Sequence, residues 1–78
     1  MAASFDPVDF PSRFGRRLRH ARNERRMSQV TLAEVVGFVP QTISNLERGF
    51  TVPSLFAVFV LAEALEVHPK ELLFGDEE

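Results

Sequence analysis

Seventy-eight residues with 45% hydrophobic side chains, five prolines, four glycines and no low-complexity run describe one small globular domain, near the lower limit of what a single core holds folded. The absence of cysteine excludes a disulfide framework and a cysteine-type zinc site, so stability rests on packing, alone or completed by a partner chain. The formal net charge of −2 hides a polarised chain: residues 1–50 hold eight arginines and five acids (+3), residues 51–78 one lysine and six acids (−5).

The opening MAASFDPVDFPS has neither a basic start nor an apolar run, and does not read as a signal peptide. The longest apolar run, LFAVFVLA at 55–62, is too short to span a bilayer. A soluble cytoplasmic protein without a membrane segment is the expectation.

Residues 1–11 read as an arm, pinned by Phe5 or Phe10. Ser12 after Pro11 suits an N-cap, and Phe14, Leu18, Ala21 and Arg25 follow at helical spacing, predicting a first helix over about 12–25. Seven of the eight arginines fall within 13–26, where Glu24 is the only acid, so one end of the molecule is basic. Ser28 caps a second helix with Leu32, Ala33 and Val36 on its inner stripe, and Gly37 stops it in a left-handed turn.

Pro40 opens a third helix over about 40–48, because its missing N–H has no partner in a first turn. Ile43 and Leu46 face inward there, and Gly49 ends it. Ser54 caps a fourth helix, roughly 55–65, with Leu55, Val58, Leu61, Ala62 and Leu65 inward. Pro69 starts a short fifth helix whose Leu72 and Leu73 close the core; residues 75–78 form an acidic tail. No segment alternates with period two, so the fold class is all-α, five helices and no sheet.

Two helices of about eight residues joined by a short glycine-containing turn are a helix-turn-helix signature. With FGRRLRHAR, SQVTLAEVVG, TISNLERG, PSLFAVFVLAEALEV and PKELLF in this order, the chain resembles the helix-turn-helix domain of phage lambda-type repressors and xenobiotic-response-element regulators. The resemblance covers about residues 13–74 and implies a compact five-helix domain over 12–74 that binds operator DNA as a two-fold dimer, its third helix in the major groove.

That implication gives the uncharged polar residues of the third helix a purpose. Gln41 and Asn45 have the side chains that pair bidentately with adenine, with Thr42 and Ser44 as helpers. Pro40 offers only an apolar contact there. The resemblance assigns phosphate contacts to Ser28 and Gln29 at the start of the second helix, where dipole and free N–H groups favour an anion, and to Arg48 after the third. It also makes Arg22 and Glu47 a structural ion pair between the first and third helices.

Three positions depart from the pattern. Val39 stands where a capping Ser or Thr is usual, at a cost of ~1 kcal/mol that Pro40 partly offsets. Phe50 and Thr51 replace residues that are often basic, which predicts a weak phosphate clamp and a shallow salt dependence. Phe56, Phe59 and Val60 are apolar but off the inner stripe of the fourth helix, which suggests a covered surface. The resemblance places dimer contacts near the fourth and fifth helices, so Phe56, Phe59, Val60 and Val67 are the interface candidates; the alternative is that Phe5 or Phe10 folds over them.

An enzyme is not expected: there is no nucleophile elbow, no glycine-rich phosphate loop and no cluster at metal-ligand spacing, with His20 and His68 far apart. No metal, cofactor or small-molecule ligand is implied. The chain ends soon after the fifth helix, leaving no room for a sensing domain, so control is expected through its own concentration and dimerisation. The expected partner is double-stranded DNA, and chains of this size resemble restriction–modification controller proteins and small phage repressors. The competing expectation is an antitoxin or other protein-interaction module that docks a partner on the apolar patch of the fourth helix.

Overall fold

The computed structural model describes residues 6–75, which form five α-helices: α1 Phe10–Glu24, α2 Gln29–Val36, α3 Pro40–Glu47, α4 Leu55–Leu65 and α5 Pro69–Leu73. α1 packs on α3 and α5, α2 on α3 and α4, and α4 on α5. The core between them is Phe14 and Leu18 of α1, Leu32 and Ala33 of α2, Ile43 and Leu46 of α3, the α4 stripe, and Leu72 of α5. Burying each larger side chain contributes ~1.5–3 kcal/mol, which is how a chain without disulfides holds its shape.

The ends of the helices follow local chemistry. Ser28 and Ser54 sit in extended backbone, and each side-chain oxygen accepts an N–H three residues on, from Thr31 and Ala57. Gly37 takes φ +79° and turns the chain out of α2; Phe38, half-buried against the core, and Val39 complete a three-residue connection to α3. Val39 makes no side-chain cap, and Pro40 supplies the first turn. At the other end the Gly49 N–H donates to the Leu46 carbonyl and the Phe50 N–H to the Asn45 carbonyl, closing α3 in a left-handed turn at φ +75°.

Two expectations need correction. α1 begins at Phe10 rather than Ser12, and Ser12 is an exposed residue of the first turn whose Oγ accepts from Arg16 instead of capping. The reason lies upstream: the Asp6 side chain accepts from the Val8 N–H and the Asp6 carbonyl from the Asp9 and Phe10 N–H groups, so the chain is already coiling before Pro11. Leu55, expected inside, is 70% exposed, and Ala57 is buried in its stead. Helical side chains lean toward the N-terminus, so a residue at the first position of α4 projects off the helix end rather than onto the core.

Phe5 lies outside the described residues, as do residues 76–78 of the acidic tail. Phe10 turns onto Phe14, ring centroids 5.8 Å apart, and Phe56 and Phe59 remain exposed among the described residues.

Candidate nucleic-acid interface

The outer side of α3 carries a polar stripe at positions i, i+3, i+4 and i+7: Gln41, Ser44, Asn45 and Arg48. Gln41 and Thr42 are exposed, Ser44 and Asn45 half-buried. Gln41 Nε2 donates to Asn45 Oδ1 at 2.9 Å, so the two amides form one unit. That bond uses one Gln41 N–H and one lone pair of the Asn45 oxygen, and leaves the Gln41 carbonyl oxygen and the Asn45 NH2 unengaged. The pair thus keeps both donors and acceptors, the group types that an adenine edge complements.

What holds this stripe in place is a buried carboxylate at the end of the same helix. Glu47 is the one charged residue buried in the described part, its side chain 0% exposed. Arg22 of α1 grips it bidentately, Nε to Oε2 at 2.6 Å and Nη2 to Oε1 at 3.0 Å, while Nη1 bonds the Met27 carbonyl at 2.8 Å. Gln29 of α2 adds a donor at 3.0 Å, and Arg19 stands 3.6 Å away. Burial alone pushes the Glu47 carboxyl up, but the hydrogen bonds from Arg22 and Gln29 and the charges of Arg22 and Arg19 outweigh it and hold the group below the ordinary glutamate value. The same hydrogen bond raises Arg22 above its ordinary value despite desolvation. Three helices are thus tied at one point, and α3 cannot rotate without breaking a charged bond.

Gln29 therefore has a structural partner that the sequence did not announce. One of its two N–H groups faces Glu47, and its position at the start of α2 is otherwise as expected. Ser28 is exposed and occupied with Thr31, accepting its N–H and donating to its hydroxyl. Arg48 is exposed and its guanidinium carbon lies over the Phe50 ring, 4.4 Å from the centroid.

Most arginines of α1 are committed to neighbours: Arg13 to Asp9, Arg16 to Ser12, and Arg17 to the Leu73 carbonyl closing α5. Gly15 is a further residue of this machinery, buried where α1 crosses α3. Its one sequence signal is a glycine inside an otherwise helical, arginine-rich segment. His68 caps α5 through Nδ1, and His20 lies beside Glu24.

Of the dimer candidates, Phe56 and Phe59 are exposed on α4, Val60 is half-buried along a shallow groove with Val35, Val36 and Ala64, and Val67 is half-buried against the core. None of the described helices is long and apolar enough to cross a membrane.

The helix-turn-helix domain family matches residues 13–73. In sequence the chain is 33% identical over 64 residues to the HTH-type transcriptional regulator DicA of Escherichia coli strain K12, covering 82% of this chain and 47% of that one. It is 36% identical over 55 residues to an HTH-type transcriptional regulator, y4aM, of Sinorhizobium fredii, covering 70% and 38%. The chain thus spans about half or less of the curated relatives it matches. In structure it is similar to the restriction–modification controller protein C.AhdI of Aeromonas hydrophila, with TM-score 0.78, 38% identity and coverage of 83% and 93%. It is also similar to the P22 c2 repressor in complex with a synthetic operator, with TM-score 0.76, 35% identity and coverage of 81% and 96%.

Proposed function

Because this chain belongs to the helix-turn-helix domain family, we propose that it is a sequence-specific transcriptional regulator of the cytoplasm that binds a pseudo-palindromic operator as a homodimer, with α3 in the major groove. The observation that carries this reading is the amide unit of Gln41 and Asn45, outward on a helix that the buried Glu47 locks to α1 and α2. A base reader needs displayed donors and acceptors on a rigid support, and this arrangement has both. The likeness to a repressor in complex with an operator supports the same reading.

In this reading Gln41 and Asn45 read base edges, Thr42 and Ser44 assist, and Arg48 with Gln29 and Ser28 contacts phosphate. The free N–H of Gln29 turns toward DNA while its other N–H stays on Glu47, so phosphate contact and helix pose share one side chain. Phe56 and Phe59, with Val60 and Val67 at their margin, form the contact between subunits. The half-sites then lie about one helical turn, or a multiple, apart. The likeness to C.AhdI favours a controller-type role, in which dimerisation sets the response to the protein's own concentration. No catalysis, cofactor or small-molecule ligand is needed.

Selection of binding sites from random duplex DNA tests the reading, with Gln41→Ala/Asn45→Ala alongside. A two-fold-symmetric motif that loses preference at particular bases in the variant is the expected result. No enrichment by the wild type would sink the regulator reading. The exposed apolar residues of α4 would then favour a protein-interaction module of the antitoxin kind, docking through Phe56 and Phe59.

A further inference from the structure

We infer that Phe50 is a positioning residue for Arg48: its ring holds the guanidinium ready for a phosphate, and it does in this chain what an added basic residue would otherwise do by charge. The inference rests on the proposed DNA-binding role. Its geometry is independent of that role.

Residues two apart do not meet on a helix. Phe50 reaches Arg48 because the chain leaves α3 through Gly49 at φ +75°, and the Phe50 N–H is pinned to the Asn45 carbonyl at 2.9 Å. That turn folds the ring back over the side chain that follows α3, with 4.4 Å between guanidinium carbon and ring centroid. The contact is with the ring face and engages no guanidinium N–H in a hydrogen bond. The N–H donors lie in the guanidinium plane and stay available to an oxyanion, which a carboxylate partner would have consumed.

The charge environment of the described residues leaves Arg48 without a carboxylate partner. Arg13, Arg19, Arg22 and Arg25 each have a carboxylate within 4 Å: Asp9 at 3.5 Å, Glu47 at 3.6 and 2.6 Å, and Glu66 at 3.0 Å. Among the described residues no carboxylate pairs with Arg48, nor with Arg16 or Arg26, and of these three Arg48 is the one on the Gln41 stripe, one turn beyond Ser44. A flexible side chain loses rotamer freedom on binding a phosphate. Stacking on Phe50 removes part of that freedom beforehand.

The test is a double-mutant cycle on DNA affinity at a selected site, with Phe50→Leu, Phe50→Tyr, Arg48→Gln and Arg48→Gln/Phe50→Leu, read over a salt series. Phe50→Leu is expected to bind about two- to five-fold more weakly, the size of an exposed cation–π contact, with an unchanged salt slope. Phe50→Tyr should bind as the wild type does. Arg48→Gln should reduce the slope by about 0.9, one phosphate charge, and Phe50→Leu should then cost nothing more. An equal loss in both Arg48 backgrounds, or none in either, would overturn the inference and leave the DNA-binding reading intact.

Absence of any wild-type binding would remove both. The stack itself is checked without DNA, on the free protein by NMR. Arg48 side-chain protons should carry an upfield ring-current shift that Phe50→Leu abolishes; unshifted protons in the wild type would end the inference whatever the DNA data say.

Discussion

A β-carbon on Gly15 would lie 2.5 Å from the backbone oxygen of Glu47, and equally close to that of Leu46, so α1 and α3 meet backbone against side-chain-free backbone. This approach is what brings Arg22, two turns further along α1, within bonding distance of a carboxylate on α3. Gly15 and the ion pair are therefore one device.

Gly15→Ala is expected to destabilise the domain. Alanine favours the helix by ~0.5–1 kcal/mol over glycine. The clash is with two backbone oxygens that cannot swing aside, and forced overpacking costs ~1–3 kcal/mol or more. The balance is a net loss of ~1 kcal/mol or greater, which in a domain of this size lowers Tm by about 4–8 °C per kcal/mol. Thermal unfolding followed by circular dichroism decides it. A Tm equal to or above that of the wild type would show that the two helices separate without cost.

The carboxylate of Glu47 makes stability depend on acid. Its folded-state pKa lies below the ordinary value because Arg22, Gln29 and Arg19 together outweigh its burial. A depressed carboxylate contributes stability that is fully present above the unfolded-state pKa, about 4.3 for glutamate, and is lost as pH falls through the folded value. Arg22, raised above an already high pKa, adds no dependence below about pH 12.

Urea midpoints between pH 7 and pH 2 should therefore fall on the acid side in the wild type, and fall less in Glu47→Gln. Parallel curves for the two would contradict the assignment. Arg22→Ala, at neutral pH, leaves the buried charge to Gln29 and the exposed Arg19 and should cost ~3–5 kcal/mol, enough to threaten folding at this size.

The parts of the fold that were legible in the sequence are those decided within a few residues. Ser28, Gly37, Pro40, Gly49 and Ser54 each act on their own turn, and α2, α3 and α4 begin and end where those residues imply. The start of α1 departs from the expectation because Asp6, an acceptor for three N–H groups, outweighs Ser12, and its effect runs across Pro7 to Phe10. Leu55 fits the inward period and still faces out, since periodicity gives a direction and not whether anything lies beyond the helix end. The Gly15 contact, the Gln29 bond to Glu47 and the Arg48 stack on Phe50 are tertiary or turn-geometry effects. No spacing rule encodes them, although a mid-helix glycine is a prompt to look for a close neighbour.

The apolar side of α4 gives the last prediction. Leu55, Phe56 and Phe59 are 70%, 68% and 54% exposed, and positions 55/59 and 56/59 are neighbours on a helix, so they make one continuous patch. Leaving three such side chains in water is costly, and burying each against a partner returns ~1.5–3 kcal/mol. Phe59→Glu places a charge at the centre of that patch without touching the core. It should leave the unfolding of dilute protein unchanged and abolish self-association seen by sedimentation at micromolar concentration. Operator binding should then become weaker and lose its two-fold character, because each half-site is filled independently. If the wild type already sediments as a monomer at those concentrations, the homodimer is wrong. The same variant then becomes the probe for a different protein on α4, since Phe59→Glu would block its docking while the Gln41 and Asn45 surface remains intact.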